Sequence, residues 1–265
     1  MATLVCFHAH PDDECMQTGG VMAKAAAEGH RVVLVLATRG EHGEVPDGFL
    51  AQGEQLWERR VQEVAASAEV LGASRLEFLG YTDSGMMGTA ENELPGAFWL
   101  ADVEQAAYRL AAILDEESAD VLTIYDDHGG YGHPDHIQVH RVGARAAALA
   151  GTPRVYQATM NREAVLGGIE AMRADAIAAG MPSDEFPDLP DEFGTPEADI
   201  TAAVDVSAFI DTKRKAFACH PSQIVDTGFF ASMSTDVFVL AFGTEYYIRD
   251  GQGPGITETD LMAGL

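Results

Sequence analysis

Four short segments of this 265-residue sequence are rich in acidic or hydroxyl side chains, and three of them also contain histidine, at spacings that suit a metal ion. The first is HAHPDDE, which begins at His8, and the last is DDHGGYGHPDH, which ends at His136. Between them lie RGEHGE, from Arg39, and YTDSG, from Tyr81. A catalytic zinc takes three nitrogen or oxygen ligands from the protein and keeps one position open for water. The imidazoles and carboxylates of these segments can supply such a set.

The turn around His10 carries two aspartates for which we expect separate roles. His10 and Asp13 are three residues apart at a predicted strand-to-helix turn, so their side chains can converge on one ion. Asp12 points elsewhere and stays free to take a proton as a general base. Acids at a helix start are also common as partners of the helix dipole. That simpler interpretation leaves His10 without an explanation.

The segment that ends at His136 supplies the third expected ligand. Pro134 suits the first position of a helix, which places His133 at the cap and His136 in the first turn. His136 can then face the ion while His133 overhangs the open position. Asp135 can bond a neighbouring imidazole and raise its basicity. Glycines around Tyr131 permit a tight backbone there.

Three other side chains near these segments have simpler interpretations. His140 lies one turn after His136 and is an alternative ligand, although a solvent-facing helix position explains it better. His128 is equally compatible with a site residue and with a loop residue that has no function. Cys15 follows the His10 turn inside the helix start, where we expect a buried, inert thiol rather than a nucleophile.

The elements that would position these segments alternate between strands and helices through the first 160 residues. Short apolar runs predict buried parallel strands at 4–7, 31–38, 75–79, 121–125 and 154–158. Apolar residues at helical spacing and terminal glycines predict helices at 16–29, 53–72, 99–117 and 134–150. This order predicts an α/β fold, a Rossmann-like parallel sheet flanked by helices. The carboxyl ends of parallel strands share one edge, so the four segments should meet there.

Beyond residue 160 the pattern predicts a C-terminal elaboration of the same single domain, 1–265. Residues 1–160 would form the Rossmann-like core, and 161–265 would be an extension that completes the substrate rim. The expected elements of the extension are a helix at 163–180, an acidic loop or lid at 181–199, a strand at 200–206, a helix at 207–219 and an edge strand at 245–249. Dinucleotide binding is not expected, because no glycine-rich phosphate loop follows the first strand. A Gly-x-Ser-x-Gly serine-hydrolase elbow is also absent from the sequence.

Composition argues against several classes of partner. The sequence has 42 acidic and 16 basic residues, a net charge of −26 and a pI near 4.4. Such a surface repels phosphate backbones and anionic membranes, so we expect neither nucleic acid nor a membrane as a partner. Three widely spaced cysteines do not form a disulfide framework, and the N-terminus lacks a signal-peptide pattern. We expect a cytoplasmic protein, for which a homo-oligomer is compatible with the sequence.

Two functions other than amide hydrolysis remain open from the residues alone. A metal-dependent phosphoester hydrolase predicts basic side chains near the ion, for which only Arg39 and Arg60 are candidates. A non-catalytic metal-binding or sugar-binding module would not need a free Asp12 beside the ligands or a second histidine over the open position.

His-Pro-Asp-Asp-Glu followed by His-Pro-Asp-His resembles the motif pair of the PIG-L (LmbE-like) family of zinc-dependent de-N-acetylases. The resemblance runs over residues 4–150, with weaker echoes to 225. Within the family the sequence looks closest to two mycothiol-pathway enzymes, the N-acetylglucosaminyl-inositol deacetylase and the mycothiol S-conjugate amidase. The segments that carry this closer likeness are Glu41–Glu44, Asp83–Met86 and Gly129–His133.

The resemblance implies a zinc-dependent hydrolase that removes an acetyl group from the amide nitrogen of a small N-acetylglucosamine-type substrate. The alternative is an amidase that cleaves a larger conjugate of the mycothiol S-conjugate type. One Zn²⁺ per chain is implied, with Fe²⁺ as the alternative ion in the cell. The family's ligands match His10, Asp13 and His136, and its general base matches Asp12.

The resemblance also implies roles for five other residues. Tyr131 and His133 match residues that polarise the carbonyl and stabilise the oxyanion, and His133 is a candidate proton donor to the leaving amine. Asp135 matches the carboxylate that tunes His133. Arg60 and Asp83 match positions that hold substrate hydroxyls.

Overall fold

The computed structural model describes residues 1–178, 193–223 and 233–265, and seven strands in these ranges form one sheet. The strands are β1 (Thr3–His8), β2 (Arg31–Leu36), β3 (Arg75–Phe78), β4 (Val121–Tyr125), β5 (Arg154–Thr159), β6 (Ala202–Asp205) and β7 (Thr244–Arg249). Their order is β3-β2-β1-β4-β5-β7-β6. The first five run parallel, as the sequence predicts, whereas β7 is antiparallel to both β5 and β6.

Helices follow most of the strands and cover the sheet. They are α1 (Asp13–Gln17), α2 (Gly19–Ala27), α3 (Leu56–Val70), α4 (Val103–Glu117), the single turn α5 (Gly129–Gly132), α6 (Pro134–Ala150), α7 (Arg162–Ala178), α8 (Ile210–Phe217) and α9 (Thr235–Phe242). The α/β fold predicted from the sequence is therefore confirmed. Within the described ranges, none of these helices has both the length and the apolar character that crossing a membrane requires.

The centre of the sheet is a closed apolar core. Every residue of β1 and β4, and all of β2 except Arg31, is buried. Burial on both faces explains why these strands appear in the sequence as continuous runs such as RVVLVL rather than as alternating patterns. Each fully buried leucine or valine contributes about 1.5–3 kcal/mol by leaving water. The core thus fixes the ends of β1, β2 and β4 rigidly relative to one another.

The C-terminal strand is not at the edge that the sequence predicts for it. β7 lies between β5 and β6, with Gln157 opposite Ile248 on one side and Ala203 opposite Tyr246 on the other. The edge position belongs to β6. Tyr247 is fully buried, which an interior strand allows and an exposed edge does not. Of the acidic segment predicted at 181–199, residues 181–192 lie outside the described residues.

A buried ion pair ties the C-terminal elements to the start of α2. Lys213 Nζ, on α8, lies 2.6 Å from Glu245 Oε1, on β7, and both side chains are almost fully buried. The same carboxylate accepts the main-chain N–H groups of Gly20 and Val21 at 2.7 and 2.9 Å. A buried pair needs this extra hydrogen bonding to offset its desolvation. The pair therefore docks α8 and β7 against the helix that follows the His10 turn.

Candidate active site

Three of the four polar segments meet at the carboxyl edge of the parallel strands. His10 follows β1, and its Nε2 lies 3.1 Å from Asp135 Oδ2 and 3.4 Å from Asp83 Oδ1. The fourth segment, which follows β2, joins them through the main-chain N–H of His42, which donates to Asp83 Oδ2 at 3.1 Å. The convergence predicted from strand direction is thus observed.

The turn after β1 holds an unusual backbone conformation at Asp12. Its φ is 98°, in a region that costs a non-glycine residue about 1–3 kcal/mol. Arg60, buried on α3, donates to the carbonyls of Pro11 and Gly40 and lies 3.2 Å from Asp12 Oδ2. These bonds hold the turn, and they leave the Asp12 side chain about a quarter exposed. The carboxylate therefore remains accessible to a reacting molecule.

His136 presents a buried nitrogen lone pair to the site. Its Nδ1 lies 3.3 Å from the carbonyl oxygen of Gly129, which can only accept, so Nδ1 carries the proton. The Nε2 atom is then a lone pair, and it is buried without a hydrogen-bond partner among the described residues. Asp13 Oδ1 lies 3.4 Å from it. An orphaned buried imidazole nitrogen facing a carboxylate is the arrangement that a cation would satisfy.

A hydrogen bond to one ring nitrogen also orients the imidazole of His10. In the neutral imidazole, Nε2 donates to the carboxylate of Asp135, which leaves Nδ1 as the lone pair, 3.4 Å from Asp13 Oδ2. Asp13 therefore stands between the free nitrogens of His10 and His136, with one carboxylate oxygen towards each. The main-chain N–H of His10 donates to Asp13 Oδ2 at 2.8 Å and fixes that carboxylate. Two imidazole lone pairs and one carboxylate fit a divalent metal ion.

Two other groups of potential ligands overlap this one at His10. Ligand atoms of His10, His133 and His136 lie within 4.8 Å of one another, as do those of His10, Asp83 and Asp135. In the second group the carboxylates face Nε2 of His10, which already donates to Asp135. We interpret these two carboxylates, Asp83 and Asp135, as partners that orient the imidazole of His10 rather than as ligands.

The charge balance of the site also favours a cation. Burial lowers the pKa of His10, but the surrounding Asp83, Asp13 and Asp135 carboxylates outweigh it and hold that pKa well above its usual value. Burial raises the pKa of Asp13, yet His136 and His10 bring it well below its usual value. The pocket thus stabilises positive charge among its carboxylates.

His133 is neutral and offers an N–H to the pocket. It caps α6, where its Nδ1 accepts the main-chain N–H of Asp135 at 3.2 Å, so the proton sits on Nε2. Burial, with His10 and His136 nearby, lowers the pKa of His133 to about 4. Tyr131 is half exposed on the glycine turn, with its ring 5.1 Å from that of His136. The rings of both residues therefore lie close to the imidazole of His136.

Asp135 has a different partner from the one expected. We expected its carboxylate to tune His133, but the carboxylate bonds His10 instead, and only its main-chain N–H reaches His133. Ser84 donates to the same carboxylate through its main-chain N–H, at 2.9 Å, and through its hydroxyl. Sequence reasoning missed Ser84, although its place directly after Asp83 in the YTDSG segment was the available signal.

Arg60 and Asp83 are both buried and are engaged with the protein itself. The Arg60 contacts go to the main chain of the first two segments and to Asp12. Asp83 accepts main-chain N–H groups from Gly85 and His42 at 2.8 and 3.1 Å. These contacts do not test the expected role of either residue in holding substrate hydroxyls, which stays a prediction.

Three other candidate side chains make contacts of their own. His140 is half-buried, and its Nδ1 donates to the Tyr125 carbonyl at 3.0 Å. His128 lies 3.0 Å from the neighbouring Asp127. Cys15 is fully buried, its Sγ donates to the Asp12 carbonyl, and burial raises the pKa of its thiol well above normal. A thiol held protonated in this way is a poor nucleophile.

The histidines and carboxylates of this cluster could hold a metal ion, and comparison with known proteins shows the family to which the chain belongs. Residues 5–147 match the family described as PIG-L: GlcNAc-PI de-N-acetylase. A 1D-myo-inositol 2-acetamido-2-deoxy-alpha-D-glucopyranoside deacetylase from Acidothermus cellulolyticus is 42% identical over 284 residues, which cover 99% of this chain and 95% of the relative. The chain therefore belongs to the PIG-L family, and it is a hydrolase of amide C–N bonds.

Solved structures extend the likeness of fold. The N,N'-diacetylchitobiose deacetylase from Pyrococcus horikoshii has a TM-score of 0.60 and 21% identity, covering 93% of this chain and 83% of that one. The 4-carboxy-2-hydroxymuconate hydratase from Pseudomonas putida has a TM-score of 0.61 and 19% identity, covering 95% and 97%. The names of these two proteins describe different reactions, so the shared fold does not by itself set the chemistry.

His8 belongs to the core rather than to the pocket. Its Nδ1 and Nε2 lie 2.8 Å from the hydroxyls of Tyr125 and Thr18, and the side chain is buried. Burial lowers the pKa of His8 to about 4, against the opposing effect of Asp13 and Glu14. A neutral imidazole suits these partners because it donates from one nitrogen and accepts at the other.

This depressed pKa predicts a loss of stability in acid. The unfolded chain takes up a proton near 6.5, and the folded protein resists until about 4. The unfolded state thus binds more protons between these values, and stability falls as the pH falls through that window. We expect the stability advantage of the wild type over His8→Asn to shrink by about 3 kcal/mol from pH 7 to 4, measured by urea unfolding.

A matched control is His42→Asn, at an exposed position. Its stability difference from the wild type gives the baseline across the same range for a histidine that the core does not enclose. An advantage of His8 that does not change with pH would contradict the expectation.

Proposed function

We propose that this enzyme removes the acetyl group from 1D-myo-inositol 2-acetamido-2-deoxy-α-D-glucopyranoside. The observation that carries the proposal is the near-full-length similarity to a deacetylase of that name, which includes the C-terminal extension as well as the two motifs. A substrate of this kind is a small neutral glycoside, which suits an acidic protein better than an anionic ligand does.

We propose that one Zn²⁺ per chain is held by His10, Asp13 and His136, with Fe²⁺ as the competing ion. The support is the pair of imidazole lone pairs on either side of the Asp13 carboxylate, one of them without any other partner among the described residues. Bound there, the ion supplies Lewis acidity for the amide carbonyl and for the attacking water. The remaining steps depend on side chains of the chain itself.

Asp12 fits the role of general base. It is adjacent to Asp13, and its carboxylate is paired with Arg60 at 3.2 Å. Burial raises the pKa of Asp12 to about 6, although Arg60 opposes the rise. A base is most effective when its pKa lies near the working pH, because it is then both available and strong enough to accept the proton. Asp12 would take the proton of the water that attacks the amide carbon.

His133 and Tyr131 fit the stabilisation of the oxyanion. The neutral tautomer of His133 directs an Nε2–H away from the α6 cap, and the hydroxyl of Tyr131 provides a second donor. One donor of this kind is typically worth about 2.7–4 kcal/mol in the transition state. As the C–N bond breaks, the leaving amine must take a proton. The proton that Asp12 took from the water balances this transfer, and we propose that His133 receives it and passes it to the amine.

We propose that residues 161–265 complete the rim around the substrate. The support is a contact between the extension and the glycine turn that carries Tyr131. The main-chain N–H of Gly194 donates to the carbonyl of Gly130 at 3.2 Å, and Thr195 bonds the Met160 carbonyl at 2.8 Å. The extension thus contacts the glycine turn that carries Tyr131, one of the residues proposed to stabilise the oxyanion.

The substrate assignment is tested with purified protein and two compounds. The acetylated glucosaminyl-inositol and a mycothiol S-conjugate are incubated separately, and the freed amine is measured by a fluorogenic reagent. We expect equimolar acetate and amine from the first compound and a much smaller rate with the second. Faster cleavage of the conjugate would overturn the assignment in favour of an amidase.

Asp12→Ala should separate catalysis from metal binding. Because Asp12 is not among the proposed ligands, we expect the variant to keep its metal while turnover falls about 10²–10⁴-fold. We would measure the metal content by mass spectrometry and kcat on the same preparation. Full activity in this variant would remove Asp12 from the role of base.

His136→Ala and His140→Ala form a matched pair one helical turn apart. Loss of a direct ligand should weaken metal affinity by more than the roughly 10–100-fold that follows loss of an outer partner. His140 contacts the Tyr125 carbonyl instead, so its variant should bind the ion as the wild type does. Equal affinity in both variants would contradict the ligand set; competition with a chelator of known affinity gives the values.

A further inference from the structure

The conformation of Asp12 depends on a neighbour that has no part in the proposed chemistry. Among the described residues, Asp12 and Ser118 are the non-glycine residues with positive φ. The main-chain N–H of Asp12 donates to Glu14 Oε2 at 2.9 Å. This bond closes the turn on itself and offsets part of the backbone strain. The direction of the Asp12 side chain therefore depends on where the Glu14 carboxylate is held.

Glu14 is held by two elements that are distant in sequence. Its side chain is fully buried, and Oε1 accepts the hydroxyl of Ser67, on α3. The same oxygen lies 2.7 Å from Nε2 of His220, which comes from the segment just after α8. Because Oε1 is anchored from outside the turn, Oε2 is left in place for Asp12. The carboxylate thus transmits the position of His220 to the backbone of Asp12.

His220 makes its one described polar side-chain contact with Glu14. The imidazole is fully buried, and Nδ1 has no hydrogen-bond partner among the described residues. A buried donor or acceptor left unsatisfied costs about 1–3 kcal/mol, and a buried ion pair is weak support for stability. Replacing both Glu14 and His220 by well-packed apolar side chains would often be neutral or stabilising. Stability alone is therefore a poor account of why the pair is present.

The segment that carries His220 has anchors of its own. Ser222 donates to Glu63, on α3, through its main-chain N–H at 3.1 Å and its hydroxyl at 2.6 Å. The buried Lys213–Glu245 pair fixes α8 just before it. Neither anchor touches Glu14 or Asp12. The fold can therefore hold the segment without the imidazole, which separates docking of the segment from support of the turn.

A second metal site is the competing interpretation of this cluster. Ligand atoms of Glu14, Cys15 and His220 lie within 4.8 Å of one another. However, Glu14 and His220 already bond each other, and Cys15 Sγ donates to the Asp12 carbonyl at 2.9 Å. The polar atoms that face one another are thus already paired within the protein. Both Glu14 and Cys15 bond the main chain of Asp12.

We propose that His220 is a positioning residue for the hydrolysis, which acts through Glu14 to hold Asp12 in its strained, productive backbone conformation. The proposal rests on the proposed function, in which Asp12 is the base. It gives the C-terminal extension a part in the chemistry in addition to its place at the rim. The step itself, proton transfer from water to Asp12, is unchanged; His220 sets the geometry in which it occurs.

The test compares His220→Ala, His220→Gln and the control Ser222→Ala. We expect His220→Ala to lower kcat about 10–100-fold, the range typical of lost outer partners, with KM and metal content near those of the wild type. His220→Gln should recover part of the loss, because its amide can still donate to Glu14. Ser222→Ala loosens the same segment and should lose thermal stability without losing kcat.

A double-mutant cycle on kcat distinguishes positioning from a general structural role. If His220 acts through Asp12, its replacement by alanine should cost little more in an Asp12→Asn background, where residual activity no longer uses the base. Losses that multiply in the double variant, or an equal fall of kcat in Ser222→Ala, would overturn the proposal. If His220→Ala does not fold, Ser67→Ala removes the other anchor of Oε1 and takes its place in the cycle.

A structural measurement that does not depend on activity distinguishes a failure of this proposal from a failure of the proposed function. Crystal structures of the wild type and the His220 variants report φ of Asp12 directly. We expect Asp12 to leave positive φ when Glu14 loses its imidazole partner, and an unchanged turn would overturn the proposal. An inactive wild type with this same structural response would instead count against the substrate and against Asp12 as base.

Discussion

Burying carboxylates at one edge of a sheet is the constraint on which this structure depends. Asp13, Glu14, Asp83 and Asp135 all lie out of water within or beside the pocket. A buried carboxylate is tolerated only where charges or hydrogen-bond donors compensate it. Main-chain N–H groups donate hydrogen bonds to Asp83. The carboxylate of Asp135 is compensated by Ser84 and His10. The carboxylate of Glu14 is compensated by His220. Asp13 lies between two imidazole lone pairs, an arrangement that a bound cation would satisfy.

The two parts of the chain are joined by the same kind of compensation. Glu245, on β7, accepts the first N–H groups of α2 and pairs with Lys213, on α8. His220, a few residues later, reaches the carboxylate of Glu14 in the first turn. Polar contacts of this kind are directional, so they fix the relative orientation of the parts more narrowly than apolar packing does. The extension is therefore joined to the turn after β1 by directional polar contacts.

A shared sheet does not determine a shared reaction. The fold is close to that of a deacetylase and to that of a hydratase at similar TM-scores. The side chains at the strand ends separate the chemistries on such a scaffold, because the core beneath them is interchangeable apolar packing. In this protein these side chains provide two imidazole lone pairs and a carboxylate, which could hold an ion, together with a partly exposed carboxylate and the N–H of a neutral imidazole.

The sequence by itself determined the order of the elements and the place where the motifs meet. Apolar runs mark β1, β2 and β4, Pro134 marks the start of α6, and the carboxyl ends of parallel strands share a single edge of the sheet. These are local signals, set by the period of a strand and by the fixed φ of proline. Tertiary structure alone decided that Asp135 faces His10 instead of His133, that β7 lies inside the sheet, and that His220 supports Glu14 across 206 residues of chain. Such pairings depend on which side chains the folded core brings within about 3 Å, and no local periodicity encodes that distance.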